Sequence, residues 1–194
     1  FSVEIDNLKE QLSQYHFEGI TRNNLFRCYQ SAFDEKMYFD QSNIEKLAVR
    51  PDFKNVVKKT TPYILKAAKF LYKELNVVDY KLLPYNIQLV FVMKFFSKLH
   101  TPNKMQIQEL KRWFWITTYS NYFTIYSLSN QRKAFEYFLS FLNGEVDNSV
   151  YSDNPSVPFR TLPFPKTVSL SGVRSKALIL FELQLLRERS KKIP

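Results

Sequence analysis

Apolar residues recur every three to four positions along most of the chain, which is the period of helices burying one face. Ile5, Leu8 and Leu12 follow Ser2 and Val3 at that spacing, with Ser2 placed as an N-cap, and Gly19 punctuates the chain soon after. From Thr21, Leu25, Cys28, Tyr29 and Phe33 step the same way, so a second helix is expected to end near Asp34 with Cys28 on its apolar face. Asp40 and Ser42 offer caps for a short helix carrying Ile44 and Leu47, which Pro51 terminates.

The longest stripe runs through Phe53, Val56, Val57, Thr60, Ile64, Ala67, Ala68, Leu71 and Leu75. Pro62 lies inside it, and its missing N–H and its ring predict a kink or break near Thr60. Leu83, Pro84 and Tyr85 open another helix, and 87–99 is apolar on nearly every side, the pattern of a central buried element. Thr101, Pro102 and Asn103 start a helix lined by Met105, Ile107, Leu110, Trp113 and Phe114. Ser129 is expected to cap the next, with Ala134, Phe135, Phe138, Leu139 and Leu142 inward and Gly144 closing it. Residues 145–172 carry four prolines and read as a loop whose Phe159 and Phe164 pack back onto the helices. Residues 173–189 form a last helix with Ala177, Leu178, Phe181, Leu185 and Leu186 inward and Arg187, Arg189, Lys191 and Lys192 near its end. The reading is an all-α, irregular bundle of about seven to eight helices in one domain spanning 1–194, with a Pro-rich loop at 145–172.

Composition narrows the chemistry. Three isolated glycines, Gly19, Gly144 and Gly172, make no phosphate-binding loop. His16 and His100 are far apart in sequence, so no metal and no cofactor is expected. Cys28 has no internal partner, and it reads as a core thiol in a reducing cytoplasm rather than a nucleophile. No segment has the length and apolarity of a membrane span. The first residue, Phe1, and the mixed 3–12 segment read as the start of an excised fragment rather than a signal peptide. No catalytic residue is assigned.

Charge points to a partner. Twenty-eight Lys and Arg against eighteen Asp and Glu leave +10, a field that attracts polyanions, although a basic proteome or an acidic neighbouring domain accounts for it equally. Lys54, Lys58, Lys59, Lys66, Lys69 and Lys73 fall within a sector of about 140° opposite the apolar stripe. No acidic residue lies between positions 53 and 73. Such a face is either ordinarily solvated or a ridge of roughly 30 Å that tracks the phosphates of duplex DNA. Lys111 and Arg112, followed by Trp113, Phe114 and Trp115 and then by Tyr119, Tyr122 and Tyr126, interleave cations with rings, the pattern of a base-stacking surface or of a core. Trp115 falls off the stripe and is expected to face outward, and with Tyr122 it is a candidate docking surface.

Leu83-Pro84-Tyr85 opening an apolar helix, the Leu110-Lys111-Arg112-Trp113-Phe114-Trp115 run, the 120–124 segment, the Ser129-Asn130 helix start and the 174–186 helix together resemble the helical region of GmrSD-like, modification-dependent restriction proteins. The likeness extends from about Phe17 onward, and the Arg-Trp-Phe-Trp run is its most specific element. The resemblance implies a bacterial anti-phage defence protein built in pieces. An N-terminal ParB-like domain handles nucleotide, a helical region corresponds to this chain, and a C-terminal nuclease domain cuts DNA, so that the whole is a nucleotide-dependent endonuclease. Neither flanking motif occurs here, which makes those two domains the implied partners. The chain departs from the pattern with Ile116 where the family tends to place arginine, and with Tyr122-Phe123-Thr124 where it places an Arg-Tyr-Ser group. The function expected is a non-catalytic helical module that contacts DNA or couples domains, the alternative being a structural protein–protein interaction domain.

Overall fold

A computed structural model describes residues 2–33, 49–125 and 127–190. Among these residues there are eight α-helices and no strand, an all-α fold. In chain order they are α1 (Ser2–Ser13), α2 (Arg22–Phe33), α3 (Phe53–Leu75), α4 (Ile87–Lys98), α5 (Lys104–Tyr119), α6 (Tyr122–Ile125), α7 (Leu128–Leu142) and α8 (Val173–Ser190), with a 3-10 turn at Tyr80–Leu82. The expected short helix around Ile44 and Leu47, Tyr126, and the tail lysines Lys191 and Lys192 lie outside the described residues.

Helix α4 is the centre. Every residue from Ile87 to Phe96 is buried, and the helix packs against α2 and α3 on one side and α7 on the other. Phe91 is the hub of its aromatic contacts. Its ring lies 4.8 Å from Trp113 on α5, 5.6 Å from Phe123 on α6, and 4.9 and 5.1 Å from Phe135 and Phe138 on α7. Offset-stacked and edge-on pairs of this kind add to the area term that already favours burial. Gln88 and Lys94 bring polar groups into this core, and Lys94 donates to the Ser31 carbonyl at 2.9 Å. Gln88 donates to the hydroxyls of Thr117 and Thr118 at 3.0 and 3.1 Å, and its carbonyl oxygen accepts from the Tyr85 N–H at 3.2 Å. The last bond ties the turn that precedes α4, which begins at Ile87, three residues after Pro84 rather than within the Leu83-Pro84-Tyr85 turn.

Helix α3 runs unbroken through Pro62. Pro62 is on the solvent face, and beside it the Thr61 hydroxyl donates to the Val57 carbonyl at 2.8 Å. The expected break is absent. Asn103 and Gln106 close α5 with a reciprocal capping box, both bonds 2.9 Å. The cap of α7 is Ser127 rather than Ser129, while the five expected inward residues are all buried and Gly144 adopts φ 76° just past the end.

Two stripes differ from expectation. Met105 is 78% exposed, while Ile107 two residues on packs against the core. On α8 the buried face is Ser175, Ala177 and Leu180, whereas Phe181, Leu185 and Leu186 are exposed. The helix carries leucines on all sides, so periodicity does not single out one face. Its docking is set by cations instead. Lys176 donates to the Leu83 carbonyl at 3.0 Å, and Arg187 donates to the Lys73 carbonyl at 2.6 Å and to Asn76 at 2.9 Å.

Candidate functional site

The lysine row stands as a solvent-facing ridge. Lys54, Lys58, Lys59, Lys66, Lys69 and Lys73 are all exposed on α3, opposite the face that packs on α1, α2 and α4. Lys58, Lys59 and Lys69 make no hydrogen bond or ion pair among the described residues, and Lys54 lies within electrostatic reach of Glu4. Lys66 donates to the His100 carbonyl at 3.0 Å with its ammonium 4.8 Å from the Phe96 ring, and the Lys73 ammonium lies 5.4 Å from the Tyr72 ring. Both keep further N–H donors for a ligand. What distinguishes this face from an ordinary solvated one is the lack of partners at the i+4 positions.

Lys111 and Arg112 do not join the ridge. Lys111 pairs with Glu74 at 2.5 Å, and Arg112 is held by both oxygens of Glu109 at 2.6 and 2.7 Å. This pairing occupies some of their donors, which sets them apart from the unpaired lysines of the ridge. Sequence spacing shows the Arg112–Glu109 pair at i+3 but not Glu74 meeting Lys111 from another helix.

Glu109 has a second task. It accepts from the Ser149 N–H at 2.8 Å and the Ser149 hydroxyl at 2.7 Å, which fixes the connection leaving α7 against α5. Burial is the largest single influence on this carboxyl and pushes it up, but the Arg112 and Ser149 donors together outweigh burial and hold it below its ordinary value.

The aromatic docking surface is rearranged. Tyr122 is 1% exposed, its hydroxyl donating to the Tyr151 carbonyl at 2.8 Å and its ring 6.0 Å from Phe159, so it pins the long connection from inside and is no docking residue. Trp113 and Phe114 are buried. Trp115 is half-buried and opens a ladder that spans three parts of the chain. It stacks on Tyr119 at 5.4 Å, Tyr119 meets Phe164 at 6.3 Å, and Phe164 meets Phe181 at 5.5 Å. Phe164 and Phe181 are 41% and 38% exposed, and Leu185 continues the strip along α8. The connection is held across α5 and α8 by the Leu162 N–H to the Tyr119 carbonyl, 3.0 Å, and by Arg174 donating to the Pro163 carbonyl. Trp115 and Tyr119, four apart on one helix, are legible from spacing; Phe164 is brought to them by backbone bonds that spacing does not show.

The remaining candidates resolve simply. Cys28 is fully buried, and burial pushes its thiol up to about 12. His100 is exposed and hydrogen-bonded to the Tyr63 hydroxyl at 3.1 Å, and His16 is an exposed turn residue at φ 57° whose carbonyl accepts from Tyr80. Among the described residues no three His, Cys, Asp or Glu side chains converge as a metal site, and no helix is long and apolar enough to cross a membrane. Compared with known proteins, the chain matches no family model, no curated protein and no solved structure.

Proposed function

We propose that this chain is a non-catalytic helical module that contacts duplex DNA through its phosphates, within a GmrSD-like restriction or anti-phage defence protein. The observation that carries the DNA contact is the α3 ridge: exposed ammonium groups along roughly 30 Å, three of them with no partner among the described residues. A lysine is a compact, freely rotating cation, so such a row grips backbone phosphates without reading bases. The defence setting rests on the resemblance carried by the Arg112–Trp115 run, and nucleotide hydrolysis and strand cleavage then belong to the ParB-like and nuclease domains it implies.

Retention on immobilised duplex DNA tests the contact. The chain is expected to bind at low salt and elute as salt rises, and Lys58→Glu combined with Lys59→Glu and Lys69→Glu is expected to abolish retention with an unchanged far-ultraviolet circular dichroism spectrum. Absence of binding by the wild type at low salt overturns it.

The ladder of half-buried Trp115 and Tyr119 and exposed Phe164 and Phe181 favours a second reading, a docking module for a neighbouring domain. The two are compatible in one geometry. Helix α8 places Phe181 on the ladder and clamps Arg187 onto the carbonyl of Lys73 at the end of the ridge, so a body seated on one surface and a polyanion on the other meet the same helix. A purely structural module is indifferent to DNA and loses its partner when Phe181 is made polar.

A further inference from the structure

The ridge is not flat along its second half. Between α3 and the start of α5 an open cleft of about 470 Å³ lies beside it, with Lys66, Lys69 and Lys73 on one rim and Phe70, Phe96 and Ile107 among its lining. Its ends are tied. At one end Lys66 bonds the His100 carbonyl and Tyr63 stacks on the His100 ring, centroids 5.7 Å apart; at the other, Glu74 holds Lys111 at 2.5 Å. The three lysines follow i, i+3 and i+7, which puts them on one face of α3 over about 10 Å, two turns of helix.

The cleft therefore joins a cationic rim to an apolar interior. Its one lining carboxylate, Glu74, is already neutralised by Lys111. Duplex DNA satisfies the rim and leaves the apolar lining wet, while a neutral apolar guest fills the interior and leaves three ammonium groups without counter-charge. A guest that serves both carries apolar side chains on one face and carboxylates along the edge of that face. The geometry points to a docking groove for an acidic amphipathic helix of a protein partner, its apolar side chains against Phe70 and Ile107 and its Asp or Glu side chains along Lys66, Lys69 and Lys73. This goes beyond the phosphate reading and stands without it. Because Lys66, Lys69 and Lys73 belong to both surfaces, such a partner and a polyanion exclude one another.

Fluorescence anisotropy of a labelled synthetic helix of roughly fifteen residues, with Leu at i, i+3 and i+7 flanked by Glu, tests the groove on the whole chain. The control peptide has the same composition scrambled so that the leucines no longer share a face. The ordered peptide is expected to bind about tenfold or more tightly than the scrambled one. Ile107→Gln and Lys73→Glu are each expected to weaken it by about tenfold, and Lys58→Glu, outside the cleft, to leave it unchanged. Equal binding of the two peptides means generic attraction to anions and overturns the groove, as does an ordered peptide that ignores both Ile107→Gln and Lys73→Glu or does not bind. Retention on duplex DNA, read in parallel, is expected to fall with Lys58→Glu and to persist with Ile107→Gln, so failure of the groove and failure of the phosphate contact are told apart.

Discussion

Replacing Glu109 by Ala removes four hydrogen bonds at once, two from Arg112 and two from Ser149. The two halves carry different weight. Arg112 is 45% exposed and turns to water when its partner goes, so that pair contributes less than about 1 kcal/mol. Ser149 is fully buried, and its N–H and hydroxyl lose a charged acceptor, at about 1–2 kcal/mol each. The sum is about 2–4 kcal/mol, or roughly 5–12 °C in melting temperature for a chain of this size. Urea denaturation and thermal melting measure it, with Glu109→Gln expected to recover part of the loss by keeping one acceptor for Ser149, and Arg112→Ala expected to cost the least. The pH dependence follows from the sign of the shift. The carboxyl sits below its ordinary 4.5 in the folded chain, so its contribution is complete above that value and is lost as pH falls through the lower native one. The gap between wild type and Glu109→Ala should therefore close on acidification. A Glu109→Ala cost no larger than that of Arg112→Ala, or a gap independent of pH, refutes the assignment of Glu109 as the anchor of the α7–α8 connection.

Gln88→Leu removes the donor to the Thr117 and Thr118 hydroxyls and the acceptor for the Tyr85 N–H, and is expected to destabilise by about 1–3 kcal/mol in urea despite its apolar gain; a neutral effect contradicts the network. Cys28, buried with its thiol pushed up to about 12, should react with a thiol-specific disulfide reagent at pH 8 only as fast as the chain unfolds, and rapid stoichiometric labelling of the native protein contradicts its burial. Trp113→Ala should cost about 3–5 kcal/mol through the cavity left beside Phe91, while half-buried Trp115→Ala should cost clearly less, a ranking that melting temperatures check directly.

The helices were legible in the chain because each core stripe has one dominant face: Ile64, Ala67, Ala68 and Leu71 on α3, and Phe135, Phe138 and Leu142 on α7, are buried as their spacing requires. Helix α8 shows the limit. With leucines on every side its orientation is decided by Lys176 and Arg187 reaching carbonyls of distant segments, which no periodicity encodes. Tyr122 shows another. Its hydroxyl finds the Tyr151 carbonyl across a 29-residue separation, so a residue read as surface becomes an internal pin. The ridge was visible because it depends on one helix alone. The pairing of Lys111 with Glu74, and the placing of Phe164 and Phe181 beside Trp115, both follow from contacts between elements.

The slope of log binding constant against log salt for duplex DNA tests the phosphate contact most directly. Each lysine that neutralises a phosphate contributes about 0.9 to the slope, so the six ridge ammonium groups give roughly −5 when all are engaged. Lys58→Glu, Lys59→Glu and Lys69→Glu should each flatten it by about one, with Arg112→Ala leaving it unchanged. A wild-type slope near zero, or one that survives all three charge reversals, contradicts the ridge as the site of contact.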